Sequence, residues 1–263
     1  MEASFKRFSG VPECLVSKRM IDLYKGGKFY EKFQPLVDGI LLEGDILMIS
    51  GEPRIGKSFM LMELAEVLVS GGNWMGSKAS FADVLFINTH LKKEDFCNRC
   101  LAIHRNINPS KSDEFFGYYF SDFSRVDNKD SFFEYLHEIV SNLTLTRTCN
   151  NGSRSVIIVD SIEDIGFRSA DEFAKKYFQA LGPYPPTLVF GTCQAPDETH
   201  VPDSVISINP YIGAAKDDRK RVTADFAFRN LPPKQLMCGV FNYPVFSWKP
   251  AENHGDGIYG FAE

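Results

Sequence analysis

The sequence lacks any apolar run of membrane-spanning length, and its opening residues, MEASFKRFSG, hold no apolar stretch like that of a secretory leader. Both absences lead to the expectation of a cytoplasmic protein with no membrane partner. Positive charge is also not in excess: 29 Lys and Arg stand against 34 Asp and Glu, a net charge of −5. That balance does not suit a non-specific nucleic-acid binder, whose affinity comes from phosphate contacts, although it leaves room for a local basic patch. Paired cysteines are missing. Cys14, Cys97, Cys100, Cys149, Cys193 and Cys238 are scattered, as in a reduced compartment. Cys97, Cys100 and His104 have C-x2-C-x3-H spacing, which can put three ligands on one helical face. No second pair completes a zinc site, so helix core or surface positions are expected instead. No linker, repeat or low-complexity segment divides the chain. At 263 residues and 44% hydrophobic, it can bury one large α/β core.

What is present centres on residues 46–70, ILMISGEPRIGKSFMLMELAEVLVS. A short apolar run leads into GEPRIGKS at 51–58. An almost wholly apolar helical stretch follows, closed by Gly71 and Gly72. Strand, glycine loop and helix in that order are the context in which G-x4-G-K-S cradles phosphate. Gly51 and Gly56 let backbone N–H groups wrap an anion, and the helix N-terminus adds its positive dipole end. Lys57 supplies a point charge for the β- and γ-phosphates, and Ser58 offers a hydroxyl to Mg²⁺. The expected nucleotide-binding set is Gly51, Glu52, Pro53, Arg54, Ile55, Gly56, Lys57, Ser58 and Phe59.

Along the chain, residues 1–34 read as an N-terminal arm with a short helix at 11–24, residues 35–250 as the nucleotide-binding domain, and 251–263 as a tail. Residues 73–82 read as a connection, 84–87 as a second buried strand ending in Asn88-Thr89-His90, and 93–107 as a helix. An aromatic strand is expected at 115–120. An amphipathic helix follows at 130–143, with Phe133, Leu136, Ile139, Val140 and Leu143 on one face. Residues 155–159 form a third apolar strand ended by Asp160, 170–181 a helix, and 188–191 a fourth strand running on to Gln194. Then 205–208, 222–228 and 236–246 read as strands with no helix between them. The alternation predicts an α/β fold, a mainly parallel twisted sheet flanked by helices, with C-terminal antiparallel edge strands. The 23 Phe could offer a nucleic-acid stacking surface, but most follow strand or helix period, which points to packing.

A phosphate loop needs a second carboxylate to hold its metal, expected at the end of an apolar strand beside the P-loop strand. SVIIVDS places Asp160 there, so Ser58 and Asp160 are the expected metal-side residues. TLVFGTCQ places Gln194 at the end of the next strand. Its amide can accept from an attacking water and donate to a phosphate oxygen, as a γ-phosphate sensor does; a capping role is the alternative.

LVDGILLEGDILMISGEPRIGKSFMLMELAEVLVSGGNWMG, residues 36–76, resembles the opening of the RecA-like ATPases of the RepA group. That group is related to a plasmid replicative helicase and, more distantly, to RecA, DnaB and KaiC. VLFINTHLKKEDFCNRCLAI, SVIIVDSIEDI and LVFGTCQAP follow in the family's order, and RVTADFAFRN with VFSWKP resembles its closing strands. The resemblance spans roughly residues 36–249. It implies a RecA-like core, ATP and Mg²⁺ as ligands, and a homo-oligomer, usually a ring hexamer with sites between subunits.

Three departures shape the functional expectation. The family's catalytic glutamate, which orients or deprotonates the attacking water, corresponds here to His90, with Glu94 and Glu163 as nearby carboxylates. The imidazole is expected to stay neutral. Pro53 and Arg54 stand where small residues are usual; Arg54 either adds charge near the phosphates or points to solvent. The segments expected to face nucleic acid, EDIGFRSADEF and APDETHVPDS, are rich in acid, and the second has no Lys or Arg, which predicts weak nucleic-acid affinity. Lys216, Arg219, Lys220 and Arg221, with Arg229 beyond, are candidates to reach a neighbour's γ-phosphate, or a solvated charge run. The leading expectation is a RepA-like ATPase serving plasmid, phage or mobile-element DNA. The alternative is a switch or assembly scaffold that binds ATP and hydrolyses it poorly. A small-molecule phosphotransferase would need a lid or acceptor motif that the sequence does not show.

Overall fold

The computed structural model describes residues 34–108, 118–122, 129–147, 154–181, 186–194, 202–211, 221–254 and 258–260. The chain divides into two units, Met1–Gln34 and Pro35–Glu263. The helix expected at 11–24 lies outside the described residues, as do Lys216, Arg219 and Lys220.

The strands are β1 (Pro35–Val37), β2 (Leu41–Leu42), β3 (Ile46–Gly51), β4 (Gly72–Trp74), β5 (Ser77–Ala79), β6 (Asp83–Asn88), β7 (Tyr118–Asp122), β8 (Ser155–Asp160), β9 (Thr187–Thr192), β10 (Ser204–Pro210), β11 (Arg221–Phe228), β12 (Met237–Asn242), β13 (Val245–Pro250), β14 (Glu252–His254) and β15 (Ile258–Gly260). The helices are α1 (Lys57–Ser70), α2 (Lys93–Ile107), α3 (Lys129–Arg147) and α4 (Ala170–Leu181). A nine-stranded sheet has the order β13-β12-β11-β10-β3-β9-β8-β6-β7. From β10 to β7 every pairing is parallel; from β10 outward through β11, β12 and β13 every pairing is antiparallel.

Why the central strands are continuous apolar runs is plain from the core. Successive side chains of a strand point to opposite faces, and here both faces are covered. Leu47, Ile49, Phe86, Ile158 and Val189 pack with α1 and α2 residues on one side. Met48, Ile87, Ile157, Val159 and Phe190 pack with Phe132, Leu136, Phe173 and Tyr177 of α3 and α4 on the other. Fully burying each aliphatic side chain of this size is worth about 1.5–3 kcal/mol, so the parallel centre is also the stable platform for the loops at its edge. Of the face expected on α3, Phe133 and Leu136 are buried and Ile139 and Val140 half-buried; the Leu143 side chain lies outside the described set.

Four expectations need correction. Asp160's strand β8 is not beside the P-loop strand β3; β9 lies between them. The 205–208 strand is not part of an antiparallel edge on both sides: β10 runs parallel to β3, with Val205 opposite Met48 and Ile208 opposite Gly51. Its apolar run is covered on both faces, as an interior parallel strand requires. The 236–246 segment is two strands, because Tyr243 and Pro244 turn the chain and bring Val245 back opposite Asn242. The 73–82 connection holds a small hairpin, β4 and β5, which joins β1 and β2 in a separate four-stranded sheet around the fully buried Trp74. In addition, β14 and β15 pair beyond Pro250.

Helix α1 is buried nearly all round, including Glu63 and Glu66. Buried carboxylates need partners. Glu66 Oε1 lies 2.8 Å from His104 Nδ1 and accepts from Asn108 Nδ2 at 2.8 Å, which fastens α1 to α2. His104 is thus occupied, Cys100 is buried with its thiol pKa pushed up by burial, and Cys97 is exposed. Among the described residues no group of three ligating side chains gathers.

Candidate functional site

The loop 51–56 leaves β3 at the C-terminal edge of the parallel sheet and enters α1 at Lys57. Gly56 is the N-cap residue, at φ 110°, with no side-chain cap, and no acidic residue lies in the first turn. The first N–H groups of α1 therefore have neither a helical partner nor a carboxylate competing for them, and the positive end of the helix dipole faces the loop. A side chain at position 56 would be doubly excluded: a Cβ there would lie 2.6 Å from Phe246 Cζ. Arg54 is exposed at φ 68°, a left-handed conformation that residues with a Cβ rarely adopt. Lys57 is 7% exposed and folds back over the loop, its Nζ donating to Gly51 O at 2.7 Å and Glu52 O at 2.9 Å, with Cys193 Sγ at 3.4 Å. These contacts hold the ammonium against the start of the loop.

Asp160 ends β8 and is 2% exposed. Burial pushes its pKa up from the ordinary range, and the neighbouring Ser58 side chain, with His90 and Lys57, works against that rise. Asp160 Oδ2 is buried with no hydrogen-bond partner among the described residues. The reach to Ser58 crosses β9, where the intervening residue is Gly191; a Cβ there would meet Leu61 Cδ1 at 3.1 Å and Asp160 Oδ1 at 3.4 Å. A buried carboxylate with a spare oxygen beside a hydroxyl is a hard-oxygen set of the kind Mg²⁺ takes together with phosphate and water. Ser58 and Asp160 therefore fit the metal side of the site.

His90 lies two residues beyond β6, half-exposed, with Nδ1 3.4 Å from Asp164 Oδ2. Asp164 also accepts from Ser161 Oγ at 2.8 Å and shares the Thr89 hydroxyl, at 3.0 Å, with Asp160 O at 2.6 Å. The bond to Asp164 pushes the His90 pKa up, against burial, and the nearby Asp160 adds to the rise. The same contact, with the Ser161 and Thr89 bonds, holds the Asp164 carboxyl down at about 2. The imidazole at position 90, expected to stay neutral, is thus shifted toward imidazolium by the Asp164 carboxylate. Glu94 is exposed in the first turn of α2. Glu163 is turned instead to the end of β9, where it accepts from Cys193 N at 2.7 Å and from Thr192 Oγ1.

Gln194 follows β9 and so stands at the same edge as Lys57, its amide Nε2 3.5 Å from Phe167 O. Arg221 begins β11 opposite the end of β10 and lies at this edge too. Arg229 lies at the other edge, 3.6 Å from Asp203, near the start of β3. Beside Ser58 the Phe59 ring is packed against Phe241 (4.9 Å) and Tyr243 (5.8 Å), with the Arg99 guanidinium 4.9 Å from its centroid. Tyr243 is 64% exposed. The sequence reading missed Asp164, Gly191 and this aromatic group. A lone glycine inside an apolar strand was the available sign for Gly191.

A family described as AAA domain matches residues 27–181. Among solved structures, a KaiC-like protein from the hyperthermophilic archaeon Pyrococcus horikoshii OT3 superposes with a TM-score of 0.57 over 82% of this chain and 94% of its own, at 14% identity. That likeness shows the RecA-like fold. No curated protein matches the chain. No helix among the described residues is long and apolar enough to cross a membrane.

Proposed function

The chain belongs to the AAA domain family, and from that premise we propose that its RecA-like P-loop domain binds Mg-ATP and serves as a RepA-like ATPase in plasmid, phage or mobile-element DNA transactions. One observation carries the nucleotide reading. Ser58 and the buried Asp160, whose Oδ2 has no partner among the described residues, meet beside an ammonium and an uncapped helix N-terminus. Gly51–Phe59 cradle the phosphates, Lys57 neutralises them, and Ser58 and Asp160 hold the metal. A Mg²⁺ ion held by Ser58 and Asp160 would supply positive charge to offset that developing on the phosphates. Gln194 senses the γ-phosphate from the end of β9. The aromatic surface of Phe59, Phe241 and Tyr243 continues from Ser58 and suits a stacked nucleobase.

The RepA-like role rests on the order of segments from residue 36 to 249. In this reading the chain self-associates, and Arg221 with the preceding basic residues reaches the neighbour's site. Affinity for single-stranded DNA is weak, no tighter than about 10⁻⁴–10⁻⁶ M at physiological salt, because Asp197 and Glu198 repel phosphate. A second reading, a nucleotide-dependent switch or scaffold with little turnover, is favoured by His90 and its contact with Asp164 where the RepA-group resemblance implies glutamate. Turnover measured with and without single-stranded DNA, alongside light scattering with and without ATP, separates the two. DNA-stimulated hydrolysis by an ATP-promoted oligomer supports the ATPase reading. ATP-promoted assembly without turnover supports the switch, and a monomer under all conditions contradicts a shared site.

A further inference from the structure

The turn after β8 folds back onto the end of β9. Ile162 N donates to Gly191 O at 3.3 Å, Gly166 N to Glu163 O at 2.8 Å and Phe167 N to Ile162 O at 3.1 Å. These bonds set Glu163 against residues 192–194. Its Oε1 accepts two hydrogen bonds there, from the Cys193 backbone N–H at 2.7 Å and from the Thr192 hydroxyl. The Thr192 hydroxyl, whose side chain is fully buried, in turn accepts from Gln194 N at 3.1 Å. One carboxylate oxygen therefore fastens all three residues that carry the chain from β9 to the Gln194 amide. Cys193 between them is the residue whose sulfur lies 3.4 Å from Lys57 Nζ.

We propose that Glu163 is the positioning residue for Gln194, holding the end of β9 so that the Gln194 side chain can report whether a γ-phosphate is present. The proposal rests on the reading of the P-loop as an ATP site. Geometry favours this role over that of a general base, since Glu163 Oε1 is already committed to two donors from β9. A surface tie would have both oxygens in water. Here Oε2 is buried without a partner among the described residues, a cost that a merely convenient cap would avoid. Cutting this tie leaves the P-loop, Ser58 and Asp160 in place. It frees the segment that must distinguish three phosphates from two.

The test compares ATP and ADP affinities, measured by calorimetry with Mg²⁺, for the wild type, Glu163→Ala, Glu163→Gln and Thr192→Val. Glu163→Ala is expected to lose at least tenfold of the ATP-over-ADP preference while ADP affinity stays within about twofold. Glu163→Gln retains an acceptor oxygen and is expected to restore most of the preference. Thr192→Val, which cuts the relay with little change in volume, is expected to lose it in the same direction. This second variant decides the matter should Glu163→Ala fail to fold. An unchanged ATP-to-ADP ratio in Glu163→Ala, or in Thr192→Val where only that variant folds, overturns the proposal. So does an equal loss of both nucleotides, which is what a purely structural role gives. A wild type that binds neither nucleotide removes the underlying ATP reading, a different failure from a wild type that prefers ATP and variants that keep the preference.

Discussion

The Asp160 carboxylate faces Ser58 across a strand to which neither belongs, and Gly191 on that strand leaves the passage open. Inserting β9 between the P-loop strand and the carboxylate strand separates the two metal-side residues by an extra strand spacing of about 4.8 Å. A strand residue with a side chain at 191 would fill the gap. Gly191→Val should therefore overpack against Leu61, at a cost of about 1–3 kcal/mol in stability, and displace the Asp160 carboxylate. The expected result is ATP binding that no longer tightens when Mg²⁺ is added, read by titrating ATP with and without the metal. Full Mg²⁺ dependence in the variant would show that Asp160 does not need this clearance.

Glu63 gives a pH prediction. Burial raises its pKa from 4.5 to about 7, with the Phe246 N–H opposing the rise. The unfolded chain loses this proton near pH 4.5 while the folded chain keeps it to about pH 7. The group's contribution to stability is therefore intact below pH 4.5 and declines as pH rises, levelling off above pH 7. Ionising it in place costs on the order of 3 kcal/mol. Glu63→Gln should raise the melting temperature at pH 8 and leave it nearly unchanged at pH 4. Equal shifts at both values would exclude ionisation as the cause.

Tyr243 stands out on the β12–β13 turn, stacked edge-on to Phe59. If the base of the nucleotide rests there, Tyr243→Ala should weaken ATP binding by the worth of one base–aromatic contact, about 1–3 kcal/mol. Inorganic triphosphate, which has no base, should bind as before. Fluorescence or calorimetric titrations with the two ligands give the comparison, and a parallel loss of both would place the base elsewhere.

The parallel sheet was legible in the sequence because its strands are buried on both faces and read as unbroken apolar runs, 46–49, 84–87, 156–159 and 188–191. The P-loop was legible because its chemistry is local: Gly51, Gly56, Lys57 and Ser58 lie within eight residues. Strand order was not. Nothing in SVIIVD or TLVFGT says which of them lies beside Ile46–Gly51, since either run would satisfy both faces. Nor could the sequence show that Asp164 would turn back onto His90, or Glu163 onto Thr192. Those contacts depend on a turn whose residues, IEDIGF, carry no periodic pattern.

His90 bears on rate rather than binding. A positioned general base contributes about 10²–10⁴-fold, and an imidazole drawn toward imidazolium by Asp164 accepts a proton poorly. Hydrolysis by the isolated protein should be slow, and His90→Glu should raise turnover by at least tenfold with ATP affinity little changed. Brisk wild-type turnover that survives His90→Ala would put the base on another residue, with Glu94 the next to substitute.

The account depends first on the P-loop holding Mg-ATP through Lys57. Calorimetric titration of the folded Lys57→Ala protein beside the wild type tests this most directly. Removing a charged donor to phosphate is worth about 1.5–3 kcal/mol, so the wild type should bind Mg-ATP and the variant should bind it at least tenfold more weakly. A folded Lys57→Ala protein that binds Mg-ATP as tightly as the wild type would contradict the account.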